Sequence, residues 1–135
     1  EEQLGTGNAV LSALPFVKGD IVLVICGDTP LIVPQTLEDL LDKSESGMGL
    51  VTANVSNPLG LGRIIRDKQG MLKKIIEEKD ADDLEKQITE ISSGIICSPT
   101  KFLKEVFMGL FQILGGHQGM LAGCFHYCLY LYLLN

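Results

Sequence analysis

The sequence predicts an α/β layered domain with a mixed sheet. Three observations carry this. Short apolar runs rich in β-branched residues, IVLVIC at Ile21–Cys26 and GIIC at Gly94–Cys97, alternate with segments whose apolar residues recur at helical spacing. Between them, two alternating segments flank Lys68-Gln69-Gly70, a three-residue hairpin connection that an all-parallel sheet would not contain. The chain has 135 residues, room for one modest domain.

Each element follows from its own pattern. Leu4-Gly5-Thr6-Gly7-Asn8-Ala9 leads into a helical pattern at Ala9, Val10, Ala13 and Leu14. Ile21–Cys26, bounded by Gly19-Asp20 and Gly27-Asp28, reads as a strand buried on both faces, hence central and parallel. Gln35–Lys43 carries Leu37, Leu40 and Leu41 at i, i+3, i+4, and Pro34 suits a first helical turn. Gly49–Val55 is a second strand, ended by Asn57-Pro58. Gly62–Asp67 and Met71–Glu77 form the hairpin arms. Asp82–Thr89 reads as a short polar helix and Gly94–Cys97 as a buried strand. Pro99–Leu110 is helical, with Phe102, Leu103, Val106, Phe107 and Leu110 on one stripe.

Composition narrows the function. Eleven basic against 17 acidic residues give a net charge of −6, which argues against a nucleic-acid surface. Mean hydropathy is high, +0.26. No Asp, Glu, Lys or Arg follows Glu105, and the last 30 residues hold both histidines and all three tyrosines. The expected division is therefore a domain over 1–110 and an apolar tail over 111–135. Met120–Leu134 is shorter than the ~20 residues a membrane span needs. Cys26 and Cys97 sit in apolar runs, where free cysteine behaves as a small hydrophobe. Cys124, His126 and Cys128 alternate but lack zinc-site spacing. The chain opens on EEQLGTG, with neither a secretory signal nor an initiator Met. This reading expects a reduced cytoplasmic protein whose N-terminus is not a natural start.

Four segments could carry chemistry. Cys26-Gly27-Asp28-Thr29-Pro30-Leu31 places a carboxylate just past a strand end, where α/β sheets bind ligands, and Asp28 offers a hard oxygen to Mg²⁺. The same residues also make an ordinary turn. Gly5 and Thr6 at a helix N-terminus present N–H groups to a base, sugar or phosphate, or simply cap the helix. Neither a P-loop nor a dinucleotide fingerprint is present. Leu59-Gly60-Leu61-Gly62-Arg63-Ile64 leads into the hairpin and Ile76-Glu77-Glu78-Lys79-Asp80 leaves it. A carboxylate there grips sugar hydroxyls or is part of a solvated face.

In order, Gln-Leu-Gly-Thr-Gly-Asn-Ala, Cys-Gly-Asp-Thr-Pro-Leu, Gly-Leu-Gly-Arg-Ile, Glu-Glu-Lys-Asp-Ala and Glu-Ile-Ser-Ser-Gly-Ile resemble the sugar-nucleotide pyrophosphorylases over Glu1 to Leu110. The chain looks most like the uridylyltransferase domain of the bacterial bifunctional N-acetylglucosamine-1-phosphate uridylyltransferase / glucosamine-1-phosphate acetyltransferases. The resemblance implies a Rossmann-like nucleotidyltransferase fold with a mixed sheet, incomplete here because the family's first strand and Gly-rich, Arg-containing loop would precede Glu1. It implies uridylyl transfer from UTP to N-acetylglucosamine-1-phosphate, with Mg²⁺, giving UDP-N-acetylglucosamine for cell-envelope precursors such as peptidoglycan and lipopolysaccharide. It also implies homo-oligomers formed through a domain outside this chain.

On matching positions, the resemblance implies that Gly5 and Thr6 meet uracil and ribose. Cys26, Gly27 and Asp28 would meet the nucleotide, with Asp28 the Mg²⁺ ligand. The family often has an aromatic at Cys26, so its backbone contact is what transfers. Gly62 and Glu77 would meet the N-acetylglucosamine moiety. Ser92 stands where the family usually has Asn. The expected activity is impaired in this truncated chain. The alternative is a non-catalytic remnant or a sugar-nucleotide-binding α/β module.

Overall fold

The structure is a computed structural model that describes residues 5–44 and 47–113. The described residues form two compact units, one of 5–50 with 94–113, the other of 51–93. The tail over 114–135, with Cys124, His126 and Cys128 and the Met120–Leu134 stretch, lies outside the described residues.

In the first unit, helix α1 (Gly5–Ala13) runs into a 3₁₀ turn at Leu14–Phe16, where Pro15 cannot continue an α-helix. Val10 and Leu14 are buried, whereas Ala9 and Ala13 face solvent. Strand β1 (Ile21–Val24) follows. Helix α2 (Pro34–Lys43) begins with its proline at the first helical position, where the missing N–H costs nothing. Strand β2 (Gly49–Asn54) starts here. Strand β5 (Glu90–Pro99) ends here and leads into helix α3 (Thr100–Ile113).

The register Ile21↔Pro99, Val22↔Ser98, Leu23↔Cys97, Val24↔Ile96 makes β1 antiparallel to β5. The parallel, doubly buried strand expected over Ile21–Cys26 is therefore corrected. The strand stops at Val24, and Ile21 and Ile25 are 50% and 43% exposed. An apolar run reports capacity for burial and carries no information about strand direction.

The core of this unit is Val10, Leu14, Leu40, Ile95, Ile96, Cys97, Leu103 and Phe107. The stripe read from α3 holds for four of its five residues: Leu103 and Phe107 are buried, with Phe102 and Val106 half-buried, and the Leu110 side chain lies outside what the structure describes. Full burial of a side chain such as Phe107 or Ile95 contributes about 1.5–3 kcal/mol. The Thr100 hydroxyl donates to the Gly19 carbonyl at 2.6 Å and its N–H to the Asp20 carbonyl at 2.8 Å, tying the start of α3 to the approach to β1.

The second unit centres on the hairpin of β3 (Arg63–Arg66) and β4 (Leu72–Ile76), antiparallel in the register Arg63↔Ile76, Ile64↔Ile75, Ile65↔Lys74. The expected turn is present. The Gly70 N–H reaches the Asp67 carbonyl at 3.0 Å and Gly70 takes φ +83°, a conformation glycine adopts without a Cβ penalty. The Asp67 carboxylate also accepts from the N–H groups of Gln69 and Met71, both at 2.9 Å. β3 meets the first half of β5 antiparallel at Arg63↔Ile91. The Ser93 hydroxyl donates to the Val51 carbonyl of β2 at 2.6 Å.

The expected helix over Asp82–Thr89 is only a turn ending in a 3₁₀ piece at Glu85–Gln87. Asp82 and Glu85 cap each other's backbone: Asp82 Oδ1 accepts from the Glu85 N–H at 2.8 Å and Glu85 Oε2 from the Asp82 N–H at 3.0 Å. That starts a helix, but Ile88 at φ −68°, ψ 126° turns the chain out to meet β5. The strand expected over Gly94–Cys97 is correspondingly longer, reaching back to Glu90. Among the described residues no helix is long and apolar enough to cross a membrane.

Three carboxyls have their pKa held below the ordinary value: Glu78 by hydrogen bonds from Arg63 and the Gly60 N–H, Glu85 by Lys74, and Glu90 by Arg66. Each binds fewer protons folded than unfolded near its unfolded pKa. Its stabilising contribution is complete above the ordinary value of about 4.3 and is lost as pH falls through the lowered native value. Urea midpoints should therefore hold steady from about pH 7 to 5 and drop below about pH 4. A midpoint unchanged down to about pH 3 would show that these pairs do not support the fold.

Candidate functional site

In the first unit the chain leaves β1 and turns at once. The Cys26 carbonyl accepts from the Thr29 N–H at 3.2 Å and from the Thr29 hydroxyl at 2.7 Å, closing a turn over Cys26–Thr29. Gly27 and Asp28 occupy its two central positions and both are exposed. The carboxylate therefore sits on a tight, doubly bonded loop at a strand end, open to an incoming ligand. The turn reading of this segment holds, and the turn leaves Asp28 exposed.

Cys26 is half-buried, and its thiol lies 3.8 Å from the Gly94 carbonyl. Gly94 takes φ +75°, and a Cβ there would come 2.8 Å from Cys26 Sγ. The sulfur thus fills the space that a side chain at position 94 would need. Gly5 and Thr6 open α1, so their backbone N–H groups belong to the unbonded first turn of a helix.

In the second unit the structure brings three predicted residues together. The hairpin register, continued one step past Arg63↔Ile76, sets Gly62 opposite Glu77. A Cβ built at Gly62 would lie 3.8 Å from each carboxylate oxygen of Glu77 and 3.3 Å from Ile75. The missing side chain leaves an uncovered backbone beside a carboxylate. The Gly62 carbonyl accepts from the Ser92 N–H at 2.9 Å, which fixes Ser92 on the adjoining strand. The Glu77 carbonyl accepts from the N–H groups of both Asp80 and Ala81 at 3.0 Å, so its backbone is held from the far side. A half-buried carboxylate, an open glycine backbone and a half-buried serine, all at one end of a hairpin, suit a small polyhydroxylated ligand.

Sequence reasoning missed what supports these residues. Arg63 is 1% exposed at the start of β3, and Glu78 lies beside it with Nη2 to Oε2 at 2.5 Å. The available signal was the charge itself, an arginine set directly before Ile64 and Ile65. Gly60 was read only as part of the approach to the hairpin. It takes φ +80° in a turn closed by the Leu61 N–H on the Pro58 carbonyl at 3.0 Å, a type II arrangement that calls for glycine. A cleft of about 500 Å³ is lined by Val17, Lys18, Lys101 and Lys104 among others, at the opposite end of β1 from Asp28, and none of the predicted residues lines it.

Solved structures share this architecture. One is a Bacillus anthracis protein described as a glucose-1-phosphate thymidylyltransferase, solved with sucrose: TM-score 0.57, 19% identity, 79% of this chain and 42% of that one covered. Another is HddC from Yersinia pseudotuberculosis with GMP-PN: TM-score 0.55, 24% identity, 78% and 44% covered. The chain shares the α/β fold of these two proteins. More particularly, it is homologous to a segment of the bifunctional protein GlmU. It is 50% identical over 106 residues to GlmU of Francisella tularensis subsp. novicida and, equally, of subsp. tularensis. The match takes in 78% of this chain and 23% of the length of those relatives. No family model matches the chain.

Gly94→Ala tests the packing of the Cys26 loop. Left-handed strain and the clash with Sγ should together cost about 2–4 kcal/mol in urea unfolding. Adding Cys26→Ala should recover the clash and leave the strain. A single substitution costing less than about 0.5 kcal/mol would mean that position 94 is not constrained in this way.

Proposed function

We propose that this chain is part of a uridylyltransferase domain that takes UTP and N-acetylglucosamine-1-phosphate to UDP-N-acetylglucosamine and pyrophosphate. The observation that carries the proposal is the meeting of Gly62, Glu77 and Ser92 at the base of one hairpin, in a chain half identical to GlmU over 106 residues. In this reading Gly62, Glu77 and Ser92 receive the N-acetylglucosamine moiety. Ser92 reaches less far than the asparagine usual in the family and carries no amide donor. Gly5 and Thr6 receive uracil and ribose. The backbone of Cys26 and Gly27, with the Asp28 carboxylate, receives the nucleotide.

Asp28 would hold Mg²⁺. Among the described residues no group of three or more His, Cys, Asp or Glu side chains gathers to hold a metal. One exposed carboxylate suits an ion that keeps waters and takes its other ligands from substrate phosphates, as Mg²⁺ does. Bound there, Mg²⁺ supplies charge neutralisation on the phosphates. The protein's share is positioning. The Cys26–Thr29 turn fixes Asp28, and Glu77 with the Gly62 backbone orients the sugar. In the reaction the sugar-phosphate oxygen bonds to the α-phosphorus of UTP and pyrophosphate leaves. No side chain is required as nucleophile.

The cytoplasm, with its nucleotide pool and reducing poise, is the compartment this chemistry needs, and the free thiols of Cys26 and Cys97 agree with it. The shorter side chain at Ser92 favours a second reading, a module that binds a sugar nucleotide without turning it over.

Titration calorimetry separates the roles. Glu77→Gln should weaken N-acetylglucosamine-1-phosphate by about 1.5–3 kcal/mol, the worth of a hydrogen bond to a charged group. Asp28→Asn should abolish the Mg²⁺ dependence of UTP binding. Unchanged Mg²⁺ dependence in Asp28→Asn would remove the metal assignment. Pyrophosphate release from both substrates with Mg²⁺ supports transfer, whereas binding without release supports the module.

A further inference from the structure

Arg63 is buried, yet it neither faces the sugar-side cluster nor completes its own hydrogen bonding. Its Nη1–H donates to the Leu61 carbonyl. Its Nη2–H donates to Glu78 Oε2 at 2.5 Å and to the Lys86 carbonyl at 3.5 Å. Its Nε–H has no partner among the described residues. Glu78 Oε2 also accepts from the Gly60 N–H at 3.2 Å. One guanidinium and one carboxylate thus tie together the Pro58–Leu61 turn, the chain leaving β4 and the 3₁₀ turn at Glu85–Gln87.

Strand alternation gives this knot its meaning. Side chains one residue apart point to opposite faces. The Arg63 side chain reaches Glu78, whereas the Cβ direction of Gly62, one residue earlier, leads to the Glu77 carboxylate. Arg63 and Glu78 therefore lie on one face of the hairpin end, and the Gly62–Glu77 pair on the other. A buried guanidinium with an unspent donor, paired to a partly exposed carboxylate, is a poor source of stability, since an apolar side chain of similar volume usually does as well or better. What such a pair supplies is direction: it allows few placements of the two backbones that carry it.

We propose that Arg63 is a positioning residue for sugar recognition, acting through Glu78 to hold Gly62 and Glu77 in register as the two sides of the sugar cradle. This rests on the assignment of the Gly62, Glu77 and Ser92 cluster to the N-acetylglucosamine moiety. The nucleotide-side residues Cys26, Gly27 and Asp28 belong to the other unit and have no bond in this network. The signature of the role is therefore a split between two ligands.

The experiment uses the full chain with Glu78→Gln, Arg63→Lys and Glu78→Asp. Affinities for N-acetylglucosamine-1-phosphate and for UTP with Mg²⁺ are measured separately, beside thermal unfolding. Glu78→Gln keeps the side chain's size at a partly exposed position, so it tests the idea even if Arg63→Lys fails to fold. Glu78→Gln should weaken the sugar phosphate about tenfold or more while UTP affinity changes less than about twofold. Glu78→Asp, which keeps the charge, should recover at least part of the loss. Equal losses for both ligands, or no loss for the sugar phosphate, would overturn the positioning role. An unsubstituted chain that does not bind the sugar phosphate would overturn the sugar-site assignment and this inference with it. That outcome is distinct from binding that is indifferent to Glu78→Gln.

Discussion

Among the described residues Arg63 is the one charged side chain that is fully buried, and three stretches of chain turn acceptors toward the end of its guanidinium. A guanidinium cannot shed its proton, so burial forces the surroundings to supply acceptors. Two backbone carbonyls and one carboxylate do so, and they come from three separate stretches of chain. Each stretch borders a residue of the candidate sugar site or a turn that leads to it. The geometry of the second unit is thus organised by an electrostatic obligation as much as by apolar burial, which there amounts to Ile64, Ala81 and Ile91.

The first unit solves a different problem. Its core is ordinary, with Leu103 and Phe107 of α3 and Ile95 to Cys97 of β5 buried. Its special point is the end of β1, where the chain must leave the sheet and expose Asp28 within a few residues. The doubly bonded Cys26–Thr29 turn does this, and Gly94 yields space on the neighbouring strand for the Cys26 sulfur. The small residue at Cys26 and the missing side chain at Gly94 are complementary. An aromatic at position 26 would need to take a different direction from the one Sγ takes here.

Much of this was legible in the residues, and the limits are instructive. The hairpin could be read with its turn because Asp67 and Gly70 act locally, through bonds spanning three or four residues. Helix α2 could be read because proline and leucine spacing are local too. Strand direction was not legible for β1, since apolar content encodes burial and the partner strand lies far along the chain. The stretch after Asp82 misled because a good capping pair promises a helix, while the demand of β5 for its next residues stops it after one turn. At the site, Gly62 and Glu77 could be named from motif order, but their pairing could not, because register depends on the bulge and turn of the whole hairpin. Arg63 was invisible as a support because charge within a strand reads equally as an exposed edge.

The turn at Asp67–Gly70 has a kinetic corollary. It closes a hairpin whose partners are near neighbours in sequence, and such contacts form on the microsecond scale, before long loops close. The Gly62–Glu77 pairing is therefore among the first long-lived contacts available to the chain. The β1–β5 ladder, which joins Val24 to Ile96, must wait for most of the sequence to be gathered. The Gly62–Glu77 cluster is a local product of chain growth, whereas the loop that follows β1 is set only when distant strands meet.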